Sequence, residues 1–181
     1  RLVEGLSGDF TRRAAEAALP RFGAAARPLL IRVAVTPLPC AEYETASSRA
    51  TRRSAVGVLR EIGVNRKEWS ELRPLMDAGD PRLAALACVL ALATRQMLPD
   101  REGAIWRLVR LLRSADWLLA IEIEGWLTEN YDIASRVLAD AAERSEAILQ
   151  TEKVHQSLQR VAAAVTLDNT PRFRREHLDS S

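Results

Sequence analysis

From Trp69 the apolar positions advance at helical spacing through Leu72, Leu75 and Met76. They reach a turn of small residues at Ala78 and Gly79, then Asp80, then a second apolar stretch that includes Ala84. The order returns without a gap 36 positions later, as Ile105, Leu108, Leu111, Leu112, Ser114, Ala115, Asp116 and Ala120. Steps of three and four put such residues on one face of an α-helix. An aspartate just ahead of the next apolar run is placed to cap it. A helix, turn and helix recurring at a fixed period of this size predict stacked hairpins, each too small to bury its apolar face alone.

The flanking chain extends the pattern. Leu2, Val3 and Leu6 read as the last turns of one helix, with Ser7-Gly8-Asp9 as the turn and Asp9 as the cap of the helix that follows. Ala14, Ala15, Ala18, Leu19 and Phe22 lie at helical spacing, with Pro20 ending or bending that helix and Gly23 near its end. Pro28 suits the first turn of a helix running through Leu29, Leu30, Ile31 and Val33. Residues 36–48 break the period with two prolines and read as a loop, either a longer connector or a functional insertion, with room for one helical turn around Glu42 and Tyr43. Further helices are expected over 49–62, 66–76, 81–97, 102–113, 116–130 and 133–142. With no Gly or Pro between Trp126 and Pro171, the last of these has nothing to stop it before Leu167. Ile148, His155, Leu158, Ala162 and Val165 supply the apolar stripe of a terminal capping helix. The division is therefore a helical domain over 1–167 and a polar, aperiodic tail over 168–181 that is expected to be disordered.

These units resemble HEAT repeats and, more loosely, armadillo-type α-solenoids. The string that carries the resemblance runs Leu2-Val3, Leu6-Ser7-Gly8-Asp9, Arg12-Arg13-Ala14-Ala15. It returns as Leu72, Leu75-Met76-Asp77-Ala78-Gly79-Asp80-Pro81-Arg82-Leu83-Ala84, and as Leu108-Val109, Leu112-Arg113-Ser114-Ala115-Asp116. Arg52-Arg53-Ser54-Ala55 with Val58-Leu59 and Ile62-Gly63 is similar to the second helix of one more unit. The resemblance covers about residues 1–142 and implies an all-α fold, a right-handed α-α superhelix of about four helical hairpins with a C-terminal capping helix. In physical terms, alanines mark close helix crossings, and the arginine after each capping aspartate is placed to reach the next unit's aspartate or carbonyls. Asp116 is followed by Trp117, Leu118 and Leu119 with no arginine, so the charge ladder is expected to end there.

Composition narrows the picture. Of 181 residues 48% are hydrophobic but only 5% aromatic, a core of Ala, Leu and Val suited to close-packed helices. Eight Gly and eight Pro are too few for a loop-rich all-β chain, and charged residues at 28%, mixed in sign, argue against global disorder. Lys67 and Lys153 are the only lysines beside many arginines, which together with the alanine content reads as a GC-rich bacterial genome. The net charge of +2 hides an asymmetry: residues 1–113 hold 19 basic and 12 acidic side chains, and residues 114–181 hold 7 basic and 12 acidic. Cys40 and Cys88 form neither a disulfide framework nor a CxxC site, which favours a cytoplasmic setting. No apolar run approaches the roughly 20 residues that span a bilayer, and no signal peptide is visible. The chain opens on Arg1, so it reads as a fragment or processed form whose anchor or further repeats would lie upstream.

Candidate chemistry is sparse. There is no HExxH, GxSxG, glycine-rich phosphate loop or Cys/His cluster, so no catalytic residue, cofactor or metal is expected. His155 reads as a partly buried packing residue, and His177 in the tail carries no signal. Glu122, Glu124, Glu129 and Asp132 form an acidic cluster whose plainest reading is a solvated helix face. Arg12, Arg13, Arg49, Arg52, Arg53, Arg60, Arg66 and Lys67 are the nearest approach to a nucleic-acid signature. Some HEAT-like proteins, alkylpurine glycosylases among them, bind DNA with aromatics and an acid on a concave basic surface. Here the basic end offers Tyr43 and Trp69 but no obvious aromatic-lined acid. Trp69 and Trp126 fall on apolar stripes, while Trp106 and Trp117 flank theirs, where core and rim both fit. The expected role is a non-enzymatic protein-interaction scaffold using the ridge formed by every second helix. Arg53, Arg60, Trp106, Trp117, Glu122 and Glu129 are its candidate contacts, and a basic-to-acidic gradient would select a partner of complementary polarity. The alternatives are nucleic-acid binding through the basic half and an accessory domain of a larger, membrane-anchored protein.

Overall fold

The computed structural model describes residues 2–37, 44–94, 98–144 and 146–168, and every regular element among them is helical. The α-helices are α1 (Arg12–Ala18), α2 (Arg27–Val35), α3 (Ala46–Ile62), α4 (Arg66–Leu72), α5 (Pro81–Ala93), α6 (Leu98–Leu112), α7 (Trp117–Glu129), α8 (Tyr131–Glu143) and α9 (Glu152–Asp168). Tighter 3-10 turns at Glu4–Ser7, Leu19–Ala26, Arg73–Asp77 and Ala147–Gln150 link or extend them. Cys40, Tyr43 and the suggested turn around Glu42 lie outside the described residues, as do His177 and the tail from 169 onward.

Local chemistry accounts for four of the helix starts. Thr45 accepts from the Ser48 amide, and Asn65 and Glu68 form a reciprocal capping box. Asp80 accepts from the Arg82 and Leu83 amides, and Asp116 from that of Leu119. Asp9 corrects the sequence expectation. It caps nothing, because Thr11 holds the N-cap position of α1 and the Asp9 carboxylate accepts from Arg12 instead, at 2.9 Å. Pro20 ends α1 as expected, and Gly23, with φ of 52°, kinks the 3-10 stretch that follows. The stretch from 133 to 167 is two helices, separated by residues 144–151 with the turn Ala147–Gln150. Its apolar register is also off by one position. Val154, Ser157 and Val161 face inward, whereas His155 and Ala162 are exposed.

Packing follows an alternating order. α1 packs on α3, α3 on α5, α5 on α7 and α7 on α9, while α2 packs on α4 and α6 on α8. Crosswise, α2 lies against α3, Arg73–Asp77 against α5, and α6 against both α5 and α7. The 36-residue echo becomes two equivalent buried stripes: Trp69, Leu72, Leu75 and Met76 are buried, as are Ile105, Leu108 and Leu112. Ala84 and Ala120 are buried where their helices meet their neighbours. α5 is buried on nearly every face, Leu83 to Leu92 included except for Leu86. Within it, burial pushes the Cys88 thiol up to about 12, so it behaves as a small apolar residue.

Arginine–carboxylate pairs bridge neighbouring helices. Arg53 of α3 donates through Nε to Asp80 at 3.0 Å, and through a second, shorter bond from its other nitrogen. Arg82 of α5 reaches Asp116 at 3.3 Å. On the other helices, Arg73 and the Trp69 indole both donate to buried Asp100 at 2.9 Å, and Arg107 holds Asp77 at 2.7 and 3.0 Å. No arginine follows Asp116 to carry the ladder on, and the next links are made from the C-terminal helix instead. Arg160 of α9 donates to Glu124 of α7, and the Lys153 ammonium to the Ala115 carbonyl.

Two predictions follow from this bonding. Asp80 is a helix cap and the acceptor for Arg53, and its side chain is almost wholly buried. Asp80→Ala should therefore cost about 2–3 kcal/mol in urea unfolding. Asp116→Ala, at an exposed pair, should cost clearly less, and equal losses would show that burial is not what gives Asp80 its weight. The second prediction concerns acid. The Arg107 hydrogen bond holds Asp77 below the ordinary 3.8, and the Leu119 amide does the same for Asp116. For Glu124 burial pushes upward, but hydrogen bonds from Arg160 and Ser157 outweigh it and leave it below 4.5. Lowered native values mean that the unfolded chain binds more protons in this window. The stabilisation is then complete above about pH 5 and is lost as pH falls through the native values. Urea midpoints should drop across that interval, and Asp77→Asn with Glu124→Gln should flatten the drop.

Candidate partner-binding ridge

The helices that pack on each other in the series α1, α3, α5, α7 and α9 turn one side away from the core. On α3 that side carries Arg49, Arg53, Gly57 and Arg60, at steps of four, four and three. A groove of about 290 Å³ lies here, with Glu16, Arg53, Gly57, Arg60, Glu61 and Leu86 among its walls. Gly57 forms its open floor, since a Cβ built there would meet nothing within 4 Å. Ser54 donates to Glu16 at one edge, and Arg53 is tied to Asp80 at another. Arg60 is exposed and also borders a second cleft, of similar volume, with Gly63, Asn65 and Trp69.

Two helices further along, the outward side of α7 is apolar over its first turn. Trp117, Leu118 and Ile121 are 70%, 47% and 57% exposed, a cluster within little more than one helical turn. Scattered apolar side chains at a surface need no explanation, whereas here three large ones lie together. Glu122 and Glu129 lie beside them, exposed and two turns apart on one face. Glu122 stands 3.7 Å from Arg82, which also holds Asp116, so this carboxylate is only partly neutralised. Gly125 adds a gap, again with nothing within 4 Å of a built Cβ.

The structure thus brings Arg53 and Arg60 to one groove, and Trp117, Glu122 and Glu129 to one helix face. Trp106 does not join them. It sits on α6, half-buried against the core. Sequence spacing missed Gly57, Leu86, Leu118 and Ile121. In α7 the run Trp117-Leu118-Leu119-Ala120-Ile121 is apolar all round, so periodicity alone cannot divide it into buried and exposed residues. His155 is exposed on α9, its Nε2 2.9 Å from the Gln159 amide nitrogen, and is not the half-buried packing residue expected. Among the described residues no group of three or more His, Cys, Asp or Glu is placed to hold a metal. Comparison with family models, curated proteins and solved structures returns no significant match, so the functional reading rests on this geometry.

Proposed function

We propose that this chain is a HEAT-like stack of about four helical hairpins, capped by α8 and α9, that serves as a non-enzymatic scaffold for a protein partner on the ridge of α1, α3, α5 and α7. The alternating packing and the buried 36-residue echo support the stacked reading. The exposed apolar trio of α7 carries the functional one. α5 and α7 are both rich in apolar residues, yet α5 is buried nearly all round and α7 leaves Trp117, Leu118 and Ile121 in water. A helix apolar on all faces is stable where all faces are covered.

The basic half favours a protein over a nucleic acid as partner. Arg52 is engaged by Glu44 and the Ala34 carbonyl, Arg53 by Asp80, and Arg12 by Asp9 and the Leu6 carbonyl. Cations already paired inside the protein release few counterions on meeting phosphate. We place the scaffold in the cytoplasm, free or as part of a larger anchored protein. No helix among the described residues is long and apolar enough to cross a membrane.

The test is affinity capture from cell extract with the wild-type chain and with Trp117→Ala/Ile121→Ala, whose circular dichroism should match. A specific partner should fall by about tenfold or more on the variant, the loss of one aromatic anchor's worth of binding energy. It should also be released by moderate salt. Equal recovery on both proteins would place the contact elsewhere and defeat the proposal.

A further inference from the structure

We infer that the partner's docking element is an amphipathic helix with carboxylates toward one end and basic side chains toward the other, laid across α3, α5 and α7. This rests on the ridge reading and adds the chemistry of the occupant.

The ridge changes in charge along its course, arginines outnumbering the carboxylates of Glu16 and Glu61 over α3 and glutamates standing over α7. Over α3, Arg49 and Arg60 are exposed and make no ion pair among the described residues. Over α7, Glu122 and Glu129 present negative charge. Between the two ends lie Leu86 of α5, half-buried, and Leu118 and Ile121 of α7, exposed. Packed helices stand about 8–10 Å apart, so the arginine end and the glutamate end are separated by roughly 20 Å. A helix of about 13 residues covers that length. Its apolar stripe meets Leu86, Leu118 and Ile121, and the notches at Gly57 and Gly125 receive its larger side chains. A uniformly acidic segment would meet Glu122 and Glu129 with like charge, and a uniformly basic one would meet Arg49 and Arg60. The same argument disfavours a polyphosphate backbone, whose charge has one sign throughout. Each exposed ion pair is worth little, so apolar burial supplies the affinity and the charges choose orientation and partner.

The probe is a displayed library of random peptides about 16 residues long, some 24 Å as a helix, selected on the whole chain. Enriched sequences should carry apolar residues at helical spacing, acidic residues at one end and basic residues at the other. On Glu122→Arg/Glu129→Arg the preference for a basic end should vanish and the enriched peptides turn acidic throughout. A peptide selected on the wild type should lose about tenfold in affinity on that variant and regain it when its basic end is made acidic. Gly57→Gln, whose side chain enters open space in the free protein, should weaken the same peptide without loss of stability. Enriched peptides that depend on Trp117 and Ile121 but show no charge asymmetry would overturn this inference and leave the ridge proposal standing. Enrichment indifferent to both, or none at all, would overturn the two together.

Discussion

Two short helices joined by a turn have more apolar surface than they can hide from water between themselves, and every other feature of this chain follows from that shortage. Each pair must borrow a neighbour. α5 shows the shortage fully met: its Ala, Leu, Val and Cys side chains are buried almost all the way round because α3, α6 and α7 all reach it. α7 shows it met in part. Leu119, Ala120, Ile123 and Leu127 are covered, and Trp117, Leu118 and Ile121 are not. The exposed trio is thus the remainder of the same demand that builds the core, left on a side that no described element covers.

Burial alone is non-directional, so something must set how one pair seats against the next. The aspartates at 80 and 116 do this because one carboxylate can serve two masters. The oxygen lone pairs accept the first amides of their own helix and a guanidinium from the previous unit. A serine or asparagine would cap equally well but would draw an arginine far less strongly. The same side chain therefore starts a helix and sets its position relative to the one before. Where the pattern lapses after Asp116, the connection passes to α9, whose Arg160 and Lys153 grip α7 from the opposite flank.

Features that repeat were legible in the sequence, because repetition separates a signal from accident. The echo from Trp69 to Ala84 and from Ile105 to Ala120 located two buried stripes and two capping aspartates. The arginine partners of those aspartates were legible too, since Arg53 and Arg82 stand where a side chain reaches one unit along. Single instances misled. Asp9 looked like another cap, but Thr11 holds the N-cap position and Arg12 takes the Asp9 carboxylate as its own acceptor. His155 seemed to lie on the last helix's stripe because an alanine-rich segment fits several registers, and tertiary contact with α7 chose the one led by Val154 and Val161. The break between α8 and α9 has no Gly or Pro to announce it. The exposed face of α7 was hidden for a related reason: a run of uniform hydrophobicity has no phase.

Charge shows how far composition and surface diverge. By count the first 113 residues are strongly basic. Yet Arg12, Arg27, Arg52, Arg53, Arg73, Arg82 and Arg107 all face carboxylates within the chain. What reaches solvent on the ridge is a few arginines at one end and a few glutamates at the other, which is a dipole and not a basic strip. Salt screens each end within a Debye length of about 8–10 Å, so neither small cluster draws a polyelectrolyte from afar. At contact the dipole discriminates sharply between orientations. Under the proposed ridge reading, arginines that pair with carboxylates inside the chain no longer offer a generic site for anions, and what is left suits a partner with two unlike ends.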